Sequence, residues 1–244
     1  MRYRAEIAYD GTAYGGWQIQ PNAVTVQEKL QEALKKLTQQ DIAVTAAGRT
    51  DAGVHALGQV VHFDCDKEFS NIARAINSQL PDDIYVRECV PVNDDFHARY
   101  DAGWKYYSYM INTGEYDPLH RNHVCQLCQN LDLEAMQKAA GVFVGKHDFT
   151  SFNATKLSEM ENQIREIYRC EVKNRNGIVS IDVVGNGFLR HMVRMIAGTL
   201  IEVGKGNLTF EDVRNLLESR DKDAVHYNAP ACGLYLVKIG YLVF

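Results

Sequence analysis

Two successive passages of strand, helix, strand, strand, helix, strand predict an α+β chain of two tandem ferredoxin-like βαββαβ domains, with antiparallel sheets and the helices on one face. Three observations carry this. Apolar residues recur at helical spacing in each half, short alternating or apolar runs flank the helices, and Gly, Asn and Pro fall where the chain must turn.

The elements follow in order. Residues 2–9 read as a strand. Thr25 and Glu28 form a capping box, in which a hydroxyl and a carboxylate satisfy each other's backbone amides, and Val26, Leu30, Ala33, Leu34 and Leu37 then mark an amphipathic helix over 25–39. Strands are expected over 42–47 and 59–63, joined by a Gly-rich loop. A helix over 70–80 carries Ile72, Ile76 and Leu80 inward and is stopped by Pro81, and a strand follows over 84–90. The second half begins with an alternating strand over 104–112, then a helix over 132–144 with Leu133, Met136, Ala140 and Phe143 on one face. Strands over 165–173 and 178–184 form a hairpin across Asn174, Arg175, Asn176 and Gly177, since Asn-Gly accepts the positive φ of a tight turn. Helices over 188–203 and 209–218 and a strand over 234–241 complete the repeat. The polar stretch at Asn93, Asp94 and Asp95 marks the boundary, giving domains 1–100 and 101–244.

Composition narrows the functional classes. Of 244 residues, 46% are hydrophobic and 23% charged, which excludes disordered, collagen-like and coiled-coil chains. Arg2, Arg4, Glu6 and Asp10 break any apolar leader, and the apolar run 195–201 is far short of the roughly 20 residues of a membrane span. A cytoplasmic chain is expected, with its six cysteines reduced. Lys and Arg number 26 against 31 Asp and Glu, a net charge of −5, so nucleic acid cannot be coated by the whole surface, although a local basic cleft is compatible. No phosphate-binding glycine loop ending in Lys-Ser or Lys-Thr is present, nor G-x-G-x-x-G, H-E-x-x-H or G-x-S-x-G. His120, His123, Cys125 and Cys128 crowd together without the two separated ligand pairs of a structural zinc site, so no metal is expected.

The stretch GRTDAGVHA, residues 48–56, lies between two strands of the first half and is built from small residues around Arg49 and Asp51. By residue type alone it is a turn in which Gly53 takes a positive φ. However, GRTDAGVHA and its continuation LGQVVHFD resemble the signature of the tRNA pseudouridine synthase A family. FHARYDAGWKYYSY (96–109), HDFTSF (147–152), NGFLRHMVRMIAGTLIEVG (186–204) and APACGLYLVKI (229–239) resemble further segments of that family, in the same order.

The resemblance implies paired ferredoxin-like domains with the active-site cleft between them. It also implies a homodimer working without a cofactor, and conversion of uridine to pseudouridine at positions 38, 39 and 40 of the tRNA anticodon stem-loop. Asp51 matches the family's catalytic aspartate, and a carboxylate can attack covalently or take a proton from the sugar. An enclosed carboxylate demands a cation. By resemblance that cation is Arg194, placed with Arg190 on one face of the 188–203 helix. Tyr107, expected to share a strand face with Lys105, Tyr109 and Ile111, matches the tyrosine that stacks on the base or assists proton movement. Arg49 matches an arginine that fills the space of the flipped base or holds the backbone, and His55 falls within the same signature as a substrate contact. Phosphate contacts are expected from Arg99, Lys105, Lys146, Lys156, Arg165, Arg190 and His191. The alternatives are a non-catalytic RNA-binding module of the same fold and a carboxylate enzyme acting on a small nucleoside.

Overall fold

The computed structural model describes residues 1–155 and 162–241; Lys156, among the expected phosphate contacts, lies outside them. The chain divides into two compact units, Met1–Gly103 together with the residues from Tyr235 onward, and Trp104–Leu234.

In the first unit, β1 (Arg2–Tyr9) alternates half-buried and buried residues along its length. It is followed by α1 (Val26–Thr38), whose Thr25–Glu28 capping box forms as expected and whose Val26, Leu30, Ala33 and Leu34 are buried. β2 is only Thr45–Ala46, shorter than the expected 42–47. The reason lies in Val44: its N–H donates to Gln31 Oε1 at 3.2 Å and its carbonyl accepts from Gln27 Nε2 at 3.0 Å, so α1 side chains take the bonds a ladder would need. β3 (His55–Asp64) starts four residues earlier than expected. α2 is trimmed to Ile72–Asn77, capped by Asn71. Asn77 exchanges two side-chain bonds with the backbone of Val86, at 2.8 and 2.7 Å, in β4 (Ile84–Val92). β1 pairs antiparallel with both β3 and β4, and β2 antiparallel with β3. Ile7, Leu30, Leu34, Phe63 and Ile76 form the fully buried centre of this unit.

The second unit is built on β5 (Ala102–Asn112), with a two-residue β6 (Cys125–Gln126) beside it. α3 (Leu133–Ala140) ends four residues before the expected limit and passes into a single 3₁₀ turn, Gly141–Phe143. β7 (Gly145–Asp148), which had no counterpart in the sequence pattern, pairs with β8 (Ile164–Arg175). β8 and β9 (Ile178–Gly185) form the expected hairpin, with Asn176 and Gly177 at φ 53° and 85°. The strand order is β5-β9-β8-β7, all antiparallel.

α4 is Met192–Gly204 rather than 188–203. His191 at φ 61° cannot lie inside a right-handed helix, and the Arg190 carbonyl is taken by the Ala154 amide at 3.0 Å. Arg190 therefore precedes the helix and does not share a helical face with Arg194. α5 (Phe210–Ser219) carries its own capping box, Thr209 with Asp212. No helix among the described residues is long and apolar enough to cross a membrane.

The last strand, β10 (Leu234–Tyr241), was expected to close the second half. From Tyr235 on it groups with the first unit, pairing in parallel with β3 at Tyr235–His55 and Leu236–Ala56. Gly58 makes this approach possible: a Cβ there would sit 2.7 Å from the Val237 carbonyl oxygen.

Candidate active-site loop and arginine helix

The loop between β2 and β3 is held by backbone and side chains on every side. The Ala47 amide bonds the Val60 carbonyl at 2.8 Å, tying its start to β3. The Val54 amide bonds the Asp51 carbonyl at 3.1 Å, closing a turn over 51–54 in which Gly53 takes φ 76°. That positive φ at the third position is the conformation L side chains resist, which is why a glycine follows Ala52. Asp51 itself is half-buried at the head of this turn, while Arg49 is exposed.

The sequence pattern missed what lies against the loop. Residues 10–17 have neither helical nor strand periodicity, yet they form its packing wall. The Trp17 amide bonds the Thr50 carbonyl at 3.0 Å and the Gly53 amide bonds the Tyr14 carbonyl at 3.3 Å. Gly16, at φ 96°, brings its backbone so close that a Cβ would lie 2.6 Å from the Thr50 oxygen, and Gly11 is pressed likewise against the Val54 carbonyl. The available signal was the Gly11…Gly15-Gly16-Trp17 run itself, glycines alternating with bulky aromatics where two backbones must meet. Tyr14 Oη donates to Asp83 Oδ1 at 2.5 Å, and burial together with that bond pushes its phenol well above the usual range.

His55, expected as a substrate contact, lies inside the first unit. It is 1% exposed, its ring is stacked on Tyr235 at 4.7 Å, and Nδ1 accepts from the Gly11 amide at 3.1 Å with Asp10 Oδ1 also 3.1 Å away. An enclosed ring with these partners ties the start of β3 to Gly11 and Tyr235. Arg99 is exposed in the segment after β4.

In the second unit, Lys105 and Tyr107 lie on β5 opposite Gly185 and Val183 of β9. Tyr107 is buried and meets Phe188 edge to face at 5.1 Å, which joins β5 to the segment leading into α4. Tyr109, its mate on the same face, is fully enclosed and spends its hydroxyl on the Pro230 carbonyl at 2.8 Å. Burial raises its pKa far above the ordinary tyrosine value. Arg190 is exposed, and His191 Nδ1 lies 3.2 Å from Asn228 Nδ2.

Arg194, half-buried in the first turn of α4, donates from Nε to the Ala229 carbonyl at 2.8 Å, and the Ala229 amide returns to the Arg194 carbonyl at 3.1 Å. The 227–230 segment can lie this close because of Gly198, where a Cβ would be 2.5 Å from the Tyr227 oxygen. With Nε held, the two terminal nitrogens of the guanidinium keep the fork geometry that suits a carboxylate. Arg165 donates to the Asn162 and Ile164 carbonyls at 3.1 and 2.6 Å, and burial lowers its pKa. Lys146 is exposed. His120 Nδ1 lies 2.6 Å from Asp117 Oδ2, and Cys125 is buried while Cys128 is exposed.

A family profile described as tRNA pseudouridine synthase matches residues 5–101 and 139–242. The chain is 47% identical over 244 residues to tRNA pseudouridine synthase A of Ruminiclostridium cellulolyticum, covering 98% of this chain and 99% of that one. It is 42% identical over 242 residues to the protein of that name from Exiguobacterium sp., covering 98% of each chain, and 44% identical over 242 residues to that of Thermosipho africanus, again covering 98% of each. Matches of this extent run through both units and include the Asp51 loop and α4, so the chain belongs to the tRNA pseudouridine synthases, isomerases of uridine in tRNA.

Proposed function

We propose that this chain isomerises uridine to pseudouridine in the anticodon stem-loop of tRNA, with Asp51 as the working carboxylate and Arg194 as its cationic partner. The observation that carries the reading is the half-buried carboxylate at the head of a glycine turn, inside the GRTDAGVHA stretch of a chain of this family. In the reaction the C1′–N1 bond breaks, the uracil turns, C5 joins C1′, the C5 proton leaves to water and N1 gains one. No electrons enter, so a carboxylate, a cation and a base-stacking group suffice. Asp51 either attacks covalently or abstracts a sugar proton to open this sequence. Arg194 balances its charge, and Tyr107 stacks on the uracil or relays a proton.

The target nucleotide must leave the helical stack for any of this to occur. Arg49, exposed beside Asp51, is suited to hold the backbone or the vacated space, and Arg99, Lys105, Arg190 and His191 supply phosphate contacts. We read each unit as ferredoxin-like; the antiparallel order β4-β1-β3-β2 and its two intervening helices support this for the first. A homodimer in the cytoplasm completes the proposal, since a groove shared by two copies would gather basic residues that no single run supplies.

Incubation with tRNA tritiated at C5 of uridine tests the reading. Wild-type protein should release label to water. Asp51→Ala should abolish release while tRNA binding persists, and Arg194→Ala should lower kcat more than affinity, by about 100-fold or more. Binding without release by the wild type would instead identify an RNA-binding module, and release from free uridine a nucleoside enzyme.

A further inference from the structure

Beneath the Asp51 loop lie three polar side chains that the reaction itself does not use. Tyr9 on β1, Thr50 in the loop and Gln59 on β3 are 4%, 7% and 0% exposed. Tyr9 Oη and Thr50 Oγ1 share a 2.7 Å hydrogen bond, and Gln59 Nε2 donates to the Gly48 carbonyl at 2.8 Å. Burial pushes the Tyr9 phenol up to about 12, so it stays a neutral hydroxyl that can both donate and accept. Phe, Val and Leu would fill nearly the same volumes without the penalty of desolvating polar atoms. What the polar set provides is direction: hydrogen bonds fix one arrangement where apolar contacts accept several. The two anchored residues, Gly48 and Thr50, bracket Arg49 and end at Asp51. From the other side Trp17 holds the Thr50 carbonyl and Gly16 leaves no room for the loop to shift.

We infer that the Tyr9–Thr50–Gln59 network is a positioning device that sets where the Asp51 carboxylate stands relative to the nucleotide. Tyr9, Thr50 and Gln59 act through the loop and do not touch the reacting atoms. The inference rests on the proposed role of Asp51. Misplacing a reacting group by about 1 Å can lower the rate about 100-fold without weakening substrate binding, so the signature is a fall in kcat at constant KM.

Tritium release from tRNA labelled at C5 of uridine is to be measured across tRNA concentrations for the wild type, Tyr9→Phe, Thr50→Val, Thr50→Ser and Asp51→Ala. Thermal unfolding of each variant fixes a temperature at which all are folded. Tyr9→Phe and Thr50→Val should lose about tenfold or more in kcat with KM within about twofold, whereas Thr50→Ser, which keeps the hydroxyl, should stay within about twofold of wild type. Full kcat in Tyr9→Phe and Thr50→Val, a loss confined to KM, or a Thr50→Ser variant as slow as Thr50→Val overturns the inference. Should Tyr9→Phe not fold, the two Thr50 variants decide alone. Turnover by Asp51→Ala is a separate outcome and strikes at the role of Asp51 itself.

Discussion

Arg194 breaks a local rule. It occupies the first turn of α4, where unpaired amides make the helix end positive and a cation is disfavoured by roughly 0.3–1 kcal/mol. No acidic residue lies in that turn, and His191 supplies no side-chain cap. The Ala229 carbonyl offsets part of this by accepting from Nε. A site that tolerates such a placement is where function is expected to override local preference. His62 shows the same tension in the first unit. Its ring is 7% exposed and 4.7 Å from that of His97, and its Nδ1 accepts from the Ala98 amide at 3.1 Å. Burial, His97 and Arg2 lower its pKa against the opposing pull of Asp64 and Asp101. Because the folded pKa lies below the unfolded one, the neutral ring stabilises the fold fully above about pH 6.5, and this contribution is lost as pH falls below that value. Urea midpoints measured between pH 7.5 and 5.5 should therefore decline on acidification, and His62→Gln should flatten the slope; an unchanged slope would refute the assignment.

At the scale of elements, α1 and α4 owe their existence to different causes. α1 is specified locally, by a capping box, an apolar stripe and basic residues in its last turn. α4 is buried nearly all round and is placed by tertiary contacts, with Gly198 against Tyr227 and Gly204 against Met136. Thr199 in its middle is fully buried, and its hydroxyl has no partner among the described residues. A buried hydroxyl without a bond destabilises, whereas valine has the same shape and no polar atom. Thr199→Val should raise stability by about 1 kcal/mol, read as a higher urea midpoint with an unchanged m-value. A lower midpoint would mean that the hydroxyl is bonded in solution.

For the molecule as a whole, charge is the informative quantity. A chain at −5 that binds tRNA must do so through a minority of its surface. Several of the expected contacts, Arg49, Arg99, Lys146 and Arg190, are exposed, while Arg165 directs Nη1 to the Asn162 and Ile164 carbonyls. Neutralising phosphates releases counterions, so tRNA affinity should fall at least about tenfold between 50 and 200 mM salt. Arg99→Ala and Arg190→Ala should each make that dependence shallower, measured by filter binding; a flat response in the wild type would count against any phosphate-tracking groove.

Much of this molecule was written in short-range pattern. The Thr25 cap, the Asn176-Gly177 hairpin, the order of the major strands and the Asp51 turn with Gly53 at positive φ all depend on residues within a few positions of one another. The 10–17 wall, the shortened β2 and the late start of α4 did not show, because their backbone groups are satisfied by partners no periodicity encodes. Tyr9 meets Thr50 across 41 residues and Arg194 meets Ala229 across 35. The sequence by itself determined the family to which the chain belongs and the glycine turn that carries Asp51. Only the tertiary structure decided what holds that turn and that guanidinium, because a hydrogen bond between distant segments exists only once the chain has brought them together.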